Sequence, residues 1–175
     1  TTYLRPKALA RNLASVGRQT EARAIEQVVL PDHVGLGLPE GLFGRLPLYV
    51  DAVHGRYVNV LSDDDALVAE NVVAQLNKFV TKHKDPPLVL VRVRKGDVEF
   101  PKGQPVRMPV EGDVDLGSYI VRQDIWRMFM WAYSVRYQGD YDHALAMHAA
   151  GITPMFLDLL WADGPAGGGR PEETL

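Results

Sequence analysis

The sequence predicts a mixed protein, α/β or α+β: a small mixed sheet containing a βαβ unit, an N-terminal helix and a C-terminal helical subdomain. Three patterns lead to this prediction: apolar residues at helical spacing near the start, a strand–helix–strand succession over residues 56–93, and helical spacing after residue 118. Of the 175 residues, 46% are hydrophobic and 23% charged, which are ordinary globular values.

The N-terminal helix is predicted over residues 6–29. Pro6 suits the first helical turn, where its missing N–H leaves no intrahelical bond unmade. Gly17 weakens the middle of the helix by up to about 1 kcal/mol relative to Ala, so a break there is an open alternative. Residues 31–47 are rich in Gly and Pro and are predicted to be a loop, with one short strand at 34–38.

Two strands are predicted at residues 46–53 and 56–61, joined at His54-Gly55, because glycine supplies the positive φ of a tight hairpin turn. A further strand at residues 88–93 follows a helix, so that strand, helix and strand form a βαβ unit with a right-handed crossover. Residues 98–110 contain three prolines and are predicted to return as an irregular edge segment.

The helix of this βαβ unit is predicted to begin at Ser62. Ser62 and Asp65 have a spacing that resembles a capping box, and Asp63, Asp64 and Asp65 put negative charge at the positive end of the helix dipole. We therefore interpret the three aspartates as helix-capping residues rather than as a cation-binding cluster.

The C-terminal third is predicted to be helical. One helix over residues 118–138 is apolar nearly all round, which is typical of a deeply packed helix. Two shorter helices, 141–150 and 153–162, are joined at Gly151, and a tail rich in Gly and Pro follows. The predicted organisation is an α/β core with the N-terminal helix, a helical subdomain packed on it and a flexible tail, at residues 1–117, 118–163 and 164–175.

The predicted order α, β, β, β, α, β resembles the core of the Asp…Glu-x-Lys nuclease superfamily, in which these side chains bind a divalent cation and activate water. Asp51 lies where the resemblance places the first Asp. The third strand, residues 57–61, supplies neither Glu nor Lys. The resemblance therefore implies an atypical metal-dependent nuclease or phosphoesterase, with Asp51 and Glu70 as the ligands.

Two acidic residues and two histidines gather near the start of the predicted helix 141–150: Asp140, Asp142, His143 and His148. Histidines five residues apart project about 140° apart on a helix, so they do not converge on one metal ion. The aspartates suit an N-cap. We interpret this cluster as structural, and the sequence predicts no metal and no cofactor.

The turn at residues 151–154 and the apolar residues after it are similar to a helix-turn-helix. The second helix of this motif would carry Asp158 and Asp163 and no Lys or Arg. Because attraction to the phosphates dominates DNA affinity, we expect a helix with this charge to bind DNA weakly. A helical hairpin with Thr153 as N-cap is the preferred interpretation.

Basic residues concentrate between positions 82 and 107, and the alternation over residues 91–94 puts them on one face of a strand. This basic strand face suits a phosphate backbone or an acidic partner surface. A solvated edge protected by charge is the alternative. The predicted binding residues are Arg92, Arg94, Lys95, Lys102 and Arg107.

Composition and motifs limit the function classes. The chain has no cysteine, which excludes disulfides and a Cys nucleophile, and neither a Gly-x-Ser-x-Gly nor a phosphate-binding Gly-rich motif occurs. Residues 1–110 carry a balance of +3 and residues 111–175 one of −6, out of a total of −3. A surface of two signs favours oriented association.

The sequence therefore predicts a non-enzymatic binding or assembly protein, a structural or accessory subunit of a larger protein or nucleoprotein complex such as a virion. Its partner is predicted to be another protein or further copies of the chain. A nucleic-acid-binding protein and the metal-dependent nuclease are the alternatives. The predicted location is the cytoplasm or an intracellularly assembled particle, without membrane insertion.

Overall fold

The computed structural model describes residues 5–30, 43–102, 108–133 and 138–166. It confirms the mixed α/β class, with a six-stranded mixed sheet and helices packed on it. The strands are β1 Tyr57–Asn59, β2 Ala66–Leu67, β3 Leu88–Lys95, β4 Val98–Phe100, β5 Tyr119–Arg122 and β6 Met155–Gly164. The α-helices are α1 Pro6–Gly17, α2 Val72–Lys82, α3 Gln123–Phe129 and α4 Gly139–Ala149. Short 3₁₀ helices cover Ala22–Ala24, Leu46–Ala52, Leu116–Ser118 and Met130–Ala132.

The strands lie in the order β1-β5-β3-β6-β2, and β4 pairs with the end of β3. Strand β5 is antiparallel to both β1 and β3, whereas β3 and β6 are parallel. It follows that β1, β3 and β6 run in the same direction. Their carboxyl ends therefore meet at one edge of the sheet.

The sheet separates two hydrophobic cores, because successive strand residues point to opposite faces. On one face Leu88 and Val121 pack with Trp126 of α3 and Met147 of α4. On the other face Val89, Val91 and Ile120 pack with α2. Helix α2 buries a stripe at intervals of four residues, namely Val72, Leu76 and Val80, which is the spacing that keeps one helical face inward.

The first part of the chain differs from its prediction in three places. Helix α1 ends at Gly17, so the predicted helix over residues 6–29 is shorter, as the glycine permits. The predicted strand 46–53 is wrong, since Leu46–Ala52 is a 3₁₀ helix with a proline in its first turn. The hairpin at His54-Gly55 is absent because β1 pairs with β5 instead. The predicted strand at 34–38 lies outside the described residues.

The predicted helix start at Ser62 is also wrong. Helix α2 begins ten residues later, at Val72 after Asn71, and the short strand β2 lies between. The aspartates at 63–65 therefore cap no helix. Their partners are distant in sequence, which is why a local capping pattern did not reveal their role.

Two predicted helices of the C-terminal third contain strands. Residues 118–138 include β5 before α3, and residues 134–137 lie outside the description. The predicted helix 153–162 is wrong, because residues 155–162 belong to β6, which pairs in parallel with β3. The similarity to a helix-turn-helix fails with it. The predicted helix 141–150 is confirmed as α4, and Gly151 follows it with a φ of +81°.

The predicted edge segment after residue 98 begins with β4, which pairs with the end of β3. The predicted domain division at residue 118 stays a prediction, and both β5 and β6 belong to the same sheet as β1 and β3. Of the predicted tail, residues 167–175 lie outside the description. In the described parts of the chain, no helix combines the length and apolarity needed to cross a membrane.

Candidate functional site

The candidate site lies at the edge where β1, β3 and β6 end. The loop after β1 carries Asp63, Asp64 and Asp65, while β3 ends at Lys95 and β6 at Gly164. In open α/β sheets, ligands bind outside the carboxyl ends of parallel strands. The topology therefore brings three acidic residues and a lysine to the position where this kind of sheet binds ligands.

Arg5, which directly precedes α1, contacts two of these carboxylates. Its guanidinium donates to Asp64 Oδ2 at 3.0 Å and forms an ion pair with Asp63. Both carboxylates are buried. Burial raises the pKa of Asp63, and the nearby Arg5 charge opposes that rise. The arginine therefore supplies the positive charge that two carboxylates removed from water require.

Lys95 holds the third aspartate. Its Nζ donates to both carboxylate oxygens of Asp65 at 2.5 Å, and it lies 3.8 Å from Asp115 Oδ2. Burial raises the pKa of Asp65 to about 6 against the attraction of Lys95. Burial opposes a rise in the pKa of Lys95, but Asp115 and Asp65 outweigh it and the pKa is raised. The lysine therefore stays charged between two acidic groups.

Gly164 gives Asp65 the room it occupies. A Cβ built at position 164 would overlap the Asp65 carboxylate. The Gly164 carbonyl also accepts a hydrogen bond from the Gly96 N–H at 2.9 Å, in the turn after β3. Any larger residue at 164 would displace the aspartate from Lys95.

Asp140, in the first turn of α4, is a further titratable group near this edge. It is half-buried, and its Oδ1 accepts from the Tyr141 N–H at 2.8 Å. Burial raises the pKa of Asp140 to about 6, and repulsion from Asp115 adds to the rise. Asp115 also raises the pKa of Asp65. Asp115 thus links the two groups electrostatically, and Asp140 has the protonation range of a general base.

The arrangement is acidic. Four carboxylates at the strand ends, those of Asp63–Asp65 and Asp115, face two half-buried cations, Arg5 and Lys95. Within the described ranges, no group of three or more His, Asp or Glu could hold a metal ion by itself. The side chains of Asp63, Asp64 and Asp65 are less exposed than those of Arg5 and Lys95, so a ligand at this edge reaches the two cations at least as readily as these carboxylates.

The predicted basic strand face has carboxylate partners on neighbouring strands. Arg92 lies 2.8 Å from Asp158 and 3.4 Å from Glu99, and Arg94 lies 3.1 Å from Asp163. These ion pairs reduce the positive potential that the sequence pattern implied. Lys102 donates to the Gly112 carbonyl at 2.9 Å, while Arg107 lies outside the described residues.

The two ligands proposed for a nuclease site lie on different elements. Asp51 lies on the 3₁₀ helix Leu46–Ala52. Its side chain is 94% exposed, and its Oδ1 lies 3.8 Å from Nη1 of Arg127. Glu70 is exposed and precedes α2. The contacts of the two residues do not join them into one site. Their role as metal ligands stays a prediction.

His143, on α4, is buried against Tyr133 of the hydrophobic core around Trp126, rather than part of this edge. Its ring stacks on Tyr133 with centroids 4.0 Å apart. Burial lowers the pKa of His143 to about 3, so the ring is neutral at physiological pH. The structural interpretation agrees with the position of His143. The predicted N-cap role of Asp140 and Asp142 is wrong, because Gln138 occupies the N-cap position of α4 and both aspartates lie within its first turn.

The sequence reasoning missed Arg5, Asp65, Asp115 and Asp140 as site residues. One signal was present: three consecutive aspartates follow an apolar strand, residues 57–61, at its carboxyl end. Reading them as the start of a helix removed them from consideration. Arg5 and Asp115 carried no signal, because only the fold brings them to the strand ends.

No protein-family model and no curated protein matches the chain. Among solved structures, residues 1–349 of S. aureus TarS superpose with a TM-score of 0.61 at 12% identity, over 94% of this chain and 58% of that chain. The same region in complex with UDP-GlcNAc gives a TM-score of 0.56 at 12% identity, over 97% and 58%. The chain thus spans 58% of the length of this neighbour. At this identity the likeness shows a shared fold.

This finding contradicts the predicted function. TarS, a glycosyltransferase, was solved with UDP and with UDP-GlcNAc, so the fold that this chain shares is one that occurs in an enzyme. The prediction of a non-enzymatic assembly protein or structural subunit is therefore wrong, and so is the virion assignment. That prediction rested on the absence of local catalytic motifs from the sequence. The candidate site is assembled from residues that lie far apart in the sequence.

Proposed function

We propose that this chain is the nucleotide-sugar-binding part of a glycosyltransferase, with its donor site at the carboxyl ends of β1, β3 and β6. The observation that carries the proposal is the Lys95–Asp65 pair, a buried ion pair at the ligand-binding edge of the sheet. The fold neighbour TarS was crystallised with UDP-GlcNAc, which supports this class of donor. Because the chain spans 58% of that neighbour, the activity of the whole protein is part of the proposal.

The charges at the edge suit a diphosphate that arrives with a divalent cation. The two half-buried cations, Arg5 and Lys95, are already paired with the carboxylates of Asp63, Asp64 and Asp65, so they are not free to neutralise a bare diphosphate. Mg²⁺ is commonly held by one or two carboxylates together with substrate phosphates. Asp64, whose side chain is 10% exposed and is paired with Arg5, is the carboxylate that we assign to share a cation with the donor.

Asp140 is the residue that we assign as general base. The oxygen of an acceptor hydroxyl would form a bond to the anomeric carbon of the sugar. The bond between that carbon and the diphosphate oxygen would break, and the nucleoside diphosphate would leave with the electron pair. The hydroxyl proton would pass to Asp140, whose pKa of about 6 leaves it ionised at neutral pH and basic enough to accept.

Binding of UDP-GlcNAc tests the donor site. Calorimetric titrations compare the unmodified chain with Asp64→Asn and with Asp51→Asn, a matched control that removes the same charge from a 94% exposed carboxylate. Each titration is run in Mg²⁺ and in EDTA. We expect Asp64→Asn to weaken binding at least about tenfold, a loss of about 1.4 kcal/mol, and Asp51→Asn to leave it unchanged.

Two outcomes would contradict the proposal. Absence of UDP-GlcNAc, UDP and other nucleoside-diphosphate-sugar binding in both buffers would remove the donor site. Binding that Asp64→Asn and Asp51→Asn weaken equally would place the ligand elsewhere. Thermal melts of each variant distinguish a lost contact from a lost fold.

A further inference from the structure

Helix α1 buries polar side chains against the loop that carries the site aspartates. Asn12 is 5% exposed and Ser15 1%, and their spacing of three residues puts them on one face of the helix. Apolar side chains are the usual occupants of such positions, because burying an amide or a hydroxyl costs free energy unless it is hydrogen-bonded. The hydrogen-bond partners of these two side chains therefore indicate what the inward face of α1 does.

The loop after β1 begins with a tight turn over residues 62–65. The Asp65 N–H donates to the Ser62 carbonyl at 3.1 Å, which closes a β-turn. Asp63 and Asp64 are the two central residues of this turn. The directions of their carboxylates therefore depend on the conformation of the turn backbone.

Asn12 connects α1 to both ends of this turn. Its Nδ2 donates to the Ser62 carbonyl at 3.1 Å and to the Asp65 carbonyl at 3.0 Å. Its Oδ1 accepts from Gln27 Nε2 at 2.8 Å. Because a carbonyl only accepts hydrogen bonds, these partners fix the orientation of the Asn12 amide, and one NH₂ group supplies both donors.

The preceding residue of α1 holds the middle of the turn. Arg11 Nη2 donates to the Asp64 carbonyl at 2.7 Å and to the Asp163 carbonyl of β6 at 3.1 Å. The Arg11 side chain is 51% exposed, so water can replace its contacts more readily than those of the buried Asn12. Asn12 is therefore the stronger of the two constraints on the turn.

We propose that Asn12 is a positioning residue of the donor site, which holds the turn so that Asp64 shares a divalent cation with the diphosphate of a nucleotide sugar. This inference rests on the proposed function, because the role of Asp64 is the one assigned there. A binding site must be held within about 0.5 Å of its working geometry. Both the NH₂ group and the oxygen of the Asn12 amide are engaged, so Asn12 acts through the turn rather than on the ligand.

The variants Asn12→Ala and Ser15→Ala are a matched pair. Each truncates a buried polar side chain on the same face of α1, but the Ser15 hydroxyl accepts from the Leu67 N–H at 3.0 Å, beyond the turn. Thermal melts should show a loss of stability in both. In calorimetric titrations with UDP-GlcNAc and Mg²⁺ we expect Asn12→Ala to weaken binding at least about tenfold, as a displaced ligating group does, and Ser15→Ala to leave it unchanged.

Excess Mg²⁺ separates positioning from a structural role. A weakened cation site is filled again by mass action, so a higher Mg²⁺ concentration should restore part of the affinity of Asn12→Ala for UDP-GlcNAc. Gln27→Ala keeps the test valid if Asn12→Ala does not fold, because Gln27 is exposed and its loss removes only the hydrogen bond that orients the Asn12 amide. We expect a smaller loss of affinity in Gln27→Ala, which excess Mg²⁺ also relieves.

Amide hydrogen exchange by NMR tests the hold on the turn without any ligand. Val89 in the central strand β3 serves as the reference for opening of the whole fold. Relative to Val89, the Asp65 amide should exchange at least about tenfold faster in Asn12→Ala than in the unmodified chain, because its bond to the Ser62 carbonyl is no longer held. In Ser15→Ala this ratio should not change.

Three results would overturn the proposal. Equal losses of UDP-GlcNAc affinity in Asn12→Ala and Ser15→Ala, or a loss that excess Mg²⁺ does not relieve, would make Asn12 a structural residue only. An unchanged exchange ratio for Asp65 in Asn12→Ala would show that the turn does not depend on Asn12. Absence of donor binding in the unmodified chain would remove the proposed function, and the exchange rates of Asp65 would then decide alone whether Asn12 holds the turn.

Discussion

Lys95 Nζ lies 2.5 Å from both carboxylate oxygens of Asp65 and ties the end of β3 to the loop after β1. The Asp65 side chain is 1% exposed and that of Lys95 19%, so Asp65 depends on Lys95 for its compensating charge. Removing one member of a buried pair leaves the other uncompensated, which costs more than the pair itself contributes.

Lys95→Met is therefore expected to lower the free energy of unfolding by about 3 kcal/mol. The matched control is Arg92→Met on the same strand, because Arg92 is 41% exposed and makes surface ion pairs worth at most about 1 kcal/mol. Urea denaturation measures both. Similar losses in the two variants would show that Lys95 is no more than a surface cation.

Gly164→Ala tests how closely the end of β6 approaches Asp65. Because the added Cβ overlaps the Asp65 carboxylate, we expect a loss of about 1–3 kcal/mol and weaker donor binding. Gly17→Ala is the contrasting variant, since no atom lies within 4 Å of its added Cβ. That substitution at the end of α1 should raise the free energy of unfolding by about 0.5–1 kcal/mol. A neutral Gly164→Ala would mean that Asp65 has another position.

The fold class followed from sequence where local signals and tertiary structure agree. Gly17 and Gly151 mark the ends of α1 and α4 because glycine weakens or terminates helices regardless of the surroundings. Strand β3 is buried on both faces and reads as a continuous apolar run, which identified it. In each case the residue pattern alone determines the local structure.

Other elements depend on partners that the local pattern does not contain. Residues 155–164 fit a helix or a strand, and pairing with β3 decides for the strand. The aspartates after Ser62 also fit a helix cap. Two long-range ion pairs hold them at the sheet edge instead: Asp63 pairs with Arg5, 58 residues away, and Asp65 pairs with Lys95, 30 residues away. The candidate site was therefore missed because its contacts are almost all long-range.

Asp140 is expected to lower the stability of the folded protein at neutral pH while it supports activity. The pKa of Asp140 is about 6 in the folded protein, above the ordinary 3.8 of the unfolded chain. Between pH 3.8 and pH 6 the folded protein therefore keeps a proton that the unfolded chain releases. The stabilisation from this group is complete below pH about 4 and is lost as the pH rises through 6. Asp140→Asn should therefore raise the free energy of unfolding by about 1 kcal/mol at pH 7, allowing for partial exposure, and change little near pH 4.

The same variant separates the catalytic assignment of Asp140 from a structural one. We expect Asp140→Asn to keep UDP-GlcNAc affinity and to lose at least about a hundredfold in turnover with an acceptor, the scale of a lost general base. Thermal melts at pH 4 and pH 7 give the stability difference. A stabilised variant with undiminished turnover would remove Asp140 from the mechanism.

His143 is expected to make the fold sensitive to acid. Its pKa falls from 6.5 to about 3 on burial, so the unfolded chain binds a proton that the folded protein does not accept over that range. Below pH 6.5 the unfolded state gains this proton, and the free energy of unfolding decreases by up to about 1.4 kcal/mol per pH unit until the pKa of the folded protein is reached.

The variant His143→Phe tests this expectation, because it keeps a ring against Tyr133, with the centroids 4.0 Å apart in the unmodified chain, and removes the titrating group. Denaturation at pH 7 and pH 5 should show a smaller loss in His143→Phe than in the unmodified chain, and His148→Phe on the more exposed side of α4 should not reduce the loss. Equal acid sensitivity in all three proteins would assign the pH dependence to other groups.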